Sequence, residues 1–188
     1  MIINQLQSNG QLRLYTAGLL RREWDGNAYR AEPPNVMANE GIPTATGINS
    51  EINSISINTT AAMIWRGFFL PDQTSTSWQF RTTSDDASFL WINREDSFQS
   101  RNAAQKISAN ILSTEATVDN GGRHTERTVT SSNLTLNANI YYPICIFASN
   151  NRGAGIITVE FRRDGGSWIS DGSNYYFHDA ATDNGYHI

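Results

Sequence analysis

One cysteine, one lysine and no long hydrophobic run set the first limits on this chain. Cys145 has no partner for an intramolecular disulfide. Lying inside the apolar run YYPICIFAS, it reads as a small buried hydrophobe, since a reactive thiol needs an exposed, electropositive setting. Lys106 is the single lysine, arginine carries the rest of the positive charge, and the formal net charge of -4 is spread along the chain. Without a basic stripe, nucleic acid is not an expected partner. No stretch approaches the roughly 20 apolar residues that span a bilayer, so no membrane insertion is expected. The N-terminus MIINQLQSNGQLRLY lacks the charged-then-apolar pattern of a signal peptide.

What is abundant points to β structure. Charged residues are only 17% of the 188, Asn, Ser, Thr and Gly are frequent, and aromatics reach 11%. That balance is typical of all-β proteins with long polar loops, and the length suits one domain over residues 1–188. QLRLYT alternates near the start. SISIN places Ile55 and Ile57 on one face, AAMIWRGFFL follows, and SWQFRTT alternates Trp78, Phe80 and Thr82. SFLWIN is apolar at consecutive positions, as in a strand buried on both faces. RTVTSSNLTL, IYYPICIFA and GIITVEFRR come later, the last alternating Ile157, Val159 and Phe161. LPDQTSTS, VDNGGR, SNNRGAG and RDGGS carry turn chemistry between them. Strands separated by such loops predict an antiparallel β-sandwich with at most short helices.

Two regions break the pattern. From about Asp25 to Ser50, with Pro33, Pro34 and Pro43, the chain reads as a long irregular connection. RNAAQKISANIL spaces Ala103, Ala104, Ile107, Ile111 and Leu112 at helical intervals, which suits a short surface helix.

Asp85 and Asp86 stand side by side between two apolar strands in TTSDDASFLWIN. Taken alone, adjacent acids at a strand-to-strand turn have an ordinary explanation, because Asp makes Asx-turns and is solvated there. Two neighbouring carboxylates also repel, and a divalent cation relieves that repulsion. Calcium takes about six to eight oxygen ligands, mixed from carboxylates, amides, backbone carbonyls and water. Both readings stay open on these two residues.

The longer run WRGFFLPDQTSTSWQFRTTSDDASFLWIN resembles the central part of the PA14 domain family: a "W-x-G-x-x-x-P" strand, a "Y-x-F" strand, then "D-D" and an apolar "L-W-I" strand. DNGGRH is similar to an "N-N-G-G-x-H" loop in many bacterial and phage members, and LTLNANIYYPICIFASNNRGAG to the "L-x-A-G-x-Y-Y-P-I-x-I" strand and its following loop. The resemblance covers roughly residues 61–177, with a weaker strand at Leu12 to Tyr15. It implies a β-sandwich. In the lectin branch, found in flocculins and bacterial adhesins, it further implies a cis peptide between the two aspartates, both of which bind one calcium ion. By the same match Asn150, seven residues after Pro143, gives a side-chain oxygen, while Arg152 and Ala154 lend backbone carbonyls.

Some positions depart from that pattern. Asn150-Asn151-Arg152-Gly153-Ala154-Gly155 stands where some adhesin-like members carry Glu-Asn-Gly-Gly-Gly-Asp, closer to the flocculin Asn. The charge around the metal would then come from two aspartates alone, which predicts micromolar or weaker affinity. Cys145 replaces a frequent Arg, a change with no functional account. A sugar could place two neighbouring hydroxyls on such a calcium, with Asp85, Asp86 and Asn150 accepting hydrogen bonds and Arg152 donating one. Trp24, Trp168 and Tyr175 are candidate stacking residues because they lie in polar loop sequence, Trp168 foremost, although each suits a packing role at the sandwich edge as well.

Other chemistry finds little footing. His124, His178 and His187 fit no zinc spacing, and His124 reads as a structural hydrogen-bonder. Adjacent aspartates make a poor acid/base pair for glycoside hydrolysis, and no serine elbow or phosphate loop appears. The acids of the tail YYFHDAATDNGYHI fit an ordinary terminal strand. The expectation is therefore a non-enzymatic, calcium-dependent, carbohydrate-binding module that attaches to cell-surface or extracellular glycans. The rival is a structural virion or tail component, with other virion or adhesin subunits as partners. The start at Met1, the missing signal peptide and the end soon after the matched region suit a short stand-alone protein such as a phage particle component, and the expected location is extracellular or on a virion surface.

Overall fold

The computed structural model of the protein describes residues 2–6, 12–26, 42–92 and 116–180. All regular structure among them is β. The strands are β1 (Ile2–Leu6), β2 (Leu12–Ala17), β3 (Leu19–Trp24), β4 (Ala45–Asn49), β5 (Ile55–Ile57), β6 (Ala61–Phe69) and β7 (Ser75–Asp85). They continue with β8 (Ala87–Ile92), β9 (Val118–Asn120), β10 (Arg127–Thr130), β11 (Leu134–Leu136), β12 (Tyr142–Asn150), β13 (Gly155–Arg163) and β14 (Tyr176–Asp179). Nine strands form one sheet, in the order β1-β2-β14-β6-β12-β8-β9 with β3 and β4 attached through β6. Five form the other, β10-β7-β13-β5 with β11 beside β7. Every pairing is antiparallel, as the strand and turn pattern predicts.

Side-chain periodicity explains the layering. β7 and β13 alternate buried and half-buried residues, so each has one face on the core and one outward. Val159, Phe161 and Phe80 point inward to meet Phe69, whose ring lies 5.0 Å from both phenylalanines and 5.4 Å from Trp78, edge to face. In contrast β6, β8 and β12 are buried at every position. Their residues divide by the period of two: Met63, Trp65, Leu90, Ile144 and Ile146 join the core between the sheets. Ile64, Phe68, Phe89, Trp91 and Phe147 join a second cluster, which also holds Cys145, fully buried and in no disulfide.

The glycine of the WRGFF run has a packing reason. A Cβ on Gly67 would stand 2.1 Å from the carbonyl oxygen of Phe177, so only glycine lets β14 approach β6 there.

Some expectations need correction. The connection from Asp25 to Ser50 is not irregular throughout, because Ala45–Asn49 returns as β4 along β3, pairing Leu19 with Asn49 and Glu23 with Ala45. Val118–Asn120, in the stretch read as turn sequence, forms β9 at the end of the large sheet. The helix expected over RNAAQKISANIL lies outside the described residues, as do Lys106 and His187.

Candidate functional site at the sheet-to-sheet crossings

The two loops singled out by sequence are neighbours because the chain changes sheets twice at one end of the sandwich. β7 belongs to the five-stranded sheet and β8 to the nine-stranded one, so the chain crosses at Asp86. β12 and β13 cross the other way between Asn150 and Gly155. Both registers tie the crossings together: Ser149 pairs with Ala87 in the large sheet, and Ile156 with Asp85 in the small one. Asp85, Asp86 and Asn150 are thereby brought together. The Asp85–Asp86 peptide is cis, as the resemblance implies.

Asp86 is buried and ties two loops to itself. Its Oδ1 accepts from the backbone amide of His124 at 3.2 Å, and its Oδ2 from the amide of Asn151 at 2.9 Å. Asp85 is half-buried, and its carboxylate takes no side-chain hydrogen bond or ion pair among the described residues. No basic side chain among them pairs with either acid.

Asn150 is 1% exposed, and its orientation is set by its surroundings. The Nδ2 group faces three carbonyl oxygens, of Ile57 at 3.1 Å, Asn58 at 3.3 Å and Gly153 at 2.9 Å, while Oδ1 accepts from the Arg152 amide at 3.2 Å. A flipped amide would set oxygen against those carbonyls. Gly155 makes room for this side chain, because a Cβ there would lie 2.6 Å from the Cβ of Asn150 and 2.8 Å from its Nδ2. The Gly153 carbonyl is held inward, accepting also from Thr59 Oγ1 at 2.7 Å. The carbonyls of Arg152 and Ala154 accept no hydrogen bond from the described residues, and both residues are exposed.

A third loop completes the surroundings. Asn120, fully buried, donates to the carbonyl of Arg127 at 2.9 Å and to Ser84 Oγ at 3.1 Å, and accepts from Arg127 Nε at 2.6 Å. Arg127 also donates to the Gly121 carbonyl at 2.8 Å. Residues 120–127 are thus clamped at both ends, which fixes the His124 amide on Asp86. The His124 ring nitrogens contact the carbonyls of Thr125 and Asn120 at 2.7 and 3.1 Å, in keeping with a structural role.

Trp168 does not join this group. It lies against the outer side of the small sheet, with the guanidinium carbons of Arg81 and Arg162 over its ring at 4.2 and 4.4 Å. Arg81 pairs with Glu160 and Asp85 with Ile156, four residues apart along β7, which sets Trp168 roughly 13 Å along the strand from the aspartates. Trp24 is 1% exposed and offers no open ring face. Tyr175 packs against the core, its ring 4.7 Å from that of Phe161.

The donor set fits a hard divalent cation. Two carboxylates without a counter-cation match its charge, and Asn150 Oδ1 with two unpaired loop carbonyls adds neutral oxygens. No group of three His, Cys, Asp or Glu side chains converges among the described residues, so a cation here would depend on those neutral oxygens.

The fold is that of the PA14 domains. It superposes on the PA14 domain of the MpAFP antifreeze protein with a TM-score of 0.68 at 14% identity, over 91% of this chain and 95% of that one. On the epithelial adhesin 6 A domain from Candida glabrata, solved in complex with Galβ1-3GlcNAc, the TM-score is 0.69 at 16% identity, over 97% and 95%. The PA14 sugar-binding domain from an RTX adhesin gives 0.64 at 17% identity, over 86% and 98%. More particularly, the chain belongs to the GLEYA domain family, whose model matches residues 61–163. No curated protein shows significant sequence similarity to it.

Proposed function

We propose that this protein is a calcium-dependent glycan-binding module of the adhesin type, acting in attachment to extracellular or cell-surface glycans. The observation that carries the reading is the pair of carboxylates without a counter-cation at the sheet crossings. Asp86 is fixed by the His124 and Asn151 amides, and the Asp85 carboxylate has no hydrogen-bond or ion-pair partner among the described residues. Family membership and the sugar complex of the Candida glabrata adhesin support the glycan class. Asp85, Asp86, Asn150 Oδ1 and the carbonyls of Arg152 and Ala154 would hold the cation. When bound, calcium supplies coordination positions to two neighbouring sugar hydroxyls.

This chain's own residues do the rest. Asp86 stays anchored by its two amide bonds, which keeps the loops at 120–127 and 150–155 in fixed relation whether or not sugar is present. Asn150 cannot rotate, because three carbonyls hold its Nδ2. The exposed Arg152 side chain provides donors at the rim for sugar oxygens. Adjacent carboxylates on one crossing do not flank a scissile bond, which favours binding over hydrolysis. Single-site binding of this shallow kind is weak, and attachment would gain from multivalency.

A glycan array probed with and without a chelator tests the reading. Binding to a defined set of glycans that disappears with chelator, and with Asp85→Ala in calcium, is expected. Glycan binding unchanged by chelator would refute calcium dependence, and a blank array in calcium would refute the glycan class.

A further inference from the structure

The two loops that hold Asp86 are cationic in a chain whose formal net charge is -4. Residues 120–127 and 150–155 carry Arg123, Arg127 and Arg152 and a single acid, Glu126. Asp85 and Asp86 are balanced once a divalent cation is bound. Asp119, beside the first loop, accepts from the Gly121 amide at 3.0 Å, and Asp25 accepts from Asn58 Nδ2 at 3.4 Å. Arg127 is committed to Asn120 and the Gly121 carbonyl. Arg123 and Arg152 are not committed. Both are exposed, and their side chains make no hydrogen bond, ion pair or ring contact among the described residues.

These two arginines stand on either side of one carboxylate. The His124 amide, next to Arg123, donates to Asp86 Oδ1 at 3.2 Å, and the Asn151 amide, next to Arg152, donates to Oδ2 at 2.9 Å. Standard backbone bond lengths then place the Arg123 Cα within about 6 Å of Oδ1. The Arg152 amide donates to Asn150 Oδ1 at 3.2 Å, so its Cα lies within about 5 Å of that oxygen. An extended arginine reaches about 7 Å from Cα to its outer nitrogens. Both guanidiniums are therefore within reach of a sugar ring seated between Asp86 and Asn150.

What the surrounding groups have left selects the ligand. Asn150 Nδ2 is spent on three carbonyls, and Thr59 Oγ1 donates to one of them. Glu126 falls next to Asp85, because Arg127 pairs with Ser84, so its charge bears on the cation. Each guanidinium offers five N–H donors, which leaves the rim rich in donors. A neutral sugar brings hydroxyls that donate as readily as they accept. A carboxylate or sulfate brings acceptors only, and suits the guanidinium fork.

We infer that the glycan taken by this site carries an oxyanion, a carboxylate or a sulfate, and that Arg123 and Arg152 are the residues that select it. The inference rests on the calcium-dependent reading above.

The test follows amide chemical shifts of the isotope-labelled full-length protein by nuclear magnetic resonance. Calcium is titrated first, without sugar. In saturating calcium, methyl glycosides of galactose, glucose and mannose are then compared with the matching uronates and 6-sulfates, with acetate and inorganic sulfate as ion-only probes. At low salt at least one acidic sugar should bind at least tenfold more tightly than its neutral parent, and added salt should narrow that ratio. The ratio should fall at least threefold in Arg123→Gln and approach one in Arg123→Gln/Arg152→Gln. Reading a ratio within each variant removes any general effect on the site. Neutral sugars binding as tightly as acidic ones, no sugar binding at all, the ions alone matching the acidic sugars, or a ratio unmoved in the double variant would each overturn the inference. The calcium reading fails separately, through no shifts with calcium alone or through sugar binding that survives chelator.

Discussion

Replacing Asn150 separates its two tasks, holding the loop and offering an oxygen. The alanine variant loses the donations to Ile57, Asn58 and Gly153 and the acceptance from Arg152. Of those carbonyls, that of Gly153 keeps a donor in Thr59 Oγ1 and that of Asn58 keeps one in the Ala61 amide. At about 1 kcal/mol per net hydrogen bond, Asn150→Ala is destabilised by roughly 3 kcal/mol. For a chain of this size each kcal/mol moves the melting temperature by about 2–4 °C, so a fall of about 6–12 °C is expected in chelator. Asn150→Asp has nearly the same shape but sets a carboxylate oxygen against three carbonyls, so in chelator it falls at least as far. Calcium then divides the two. A ligand at 100 times its dissociation constant stabilises by about 2.7 kcal/mol, and the aspartate variant recovers on adding calcium while the alanine variant does not. Thermal melts followed by circular dichroism, with chelator and with excess calcium, read all of this. Asn150→Asp melting with wild-type stability in chelator would refute the orientation argument, and Asn150→Ala keeping the wild-type calcium response would refute the ligand role.

The remaining predictions concern the same end of the sandwich and the buried tyrosines. Asp85→Ala should abolish calcium binding with little change of stability in chelator, whereas Asp86→Ala, which strands the His124 and Asn151 amides, should also cost about 2–3 kcal/mol by chemical denaturation. Gly155 is not itself a proposed ligand, yet the Cβ of Gly155→Ala would displace Asn150, so calorimetry should show calcium affinity at least tenfold weaker. Trp168→Ala should leave glycan binding unchanged on the array while losing about 1–2 kcal/mol from its two arginine contacts. Burial pushes the Tyr141 phenol up to about 12, with Tyr15 adding to the shift, and raises Tyr176 further through burial alone. Both hold their protons more tightly folded than unfolded, so stability is unaffected below pH 10 and falls as pH rises from 10 through about 12. Denaturant melts across that range check it, and a flat profile would contradict it.

Much of the fold was legible because it rests on local periodicity. Alternation in SWQFRTT and GIITVEFRR predicted the one-sided β7 and β13, and the continuous apolar run SFLWIN predicted the doubly buried β8. β4 was hidden because its proline-rich, glycine-rich neighbourhood suits a loop, and only pairing with β3 makes it a strand. At the site, Asp85, Asp86 and Asn150 were visible through their motifs. The groups that hold them were not. The His124 amide reaches Asp86 across 38 residues and the Asn151 amide across 65, and a backbone donor leaves no trace in residue type. Gly155 looked like one more loop glycine, and its role appears only when the Asn150 side chain is in place. Trp168 misled for the opposite reason: a tryptophan in polar sequence suggests an exposed ring, but the register of β7 and β13 sets two arginines over it.

The most direct test of the central claim is a crystal structure of the full-length protein grown in calcium. The account predicts one strong density peak at the sheet crossings, bonded at about 2.3–2.6 Å to carboxylate oxygens of Asp85 and Asp86, to Asn150 Oδ1 and to the carbonyls of Arg152 and Ala154. A crossing with only water beside those residues at saturating calcium, or a calcium ion bound elsewhere, would contradict it.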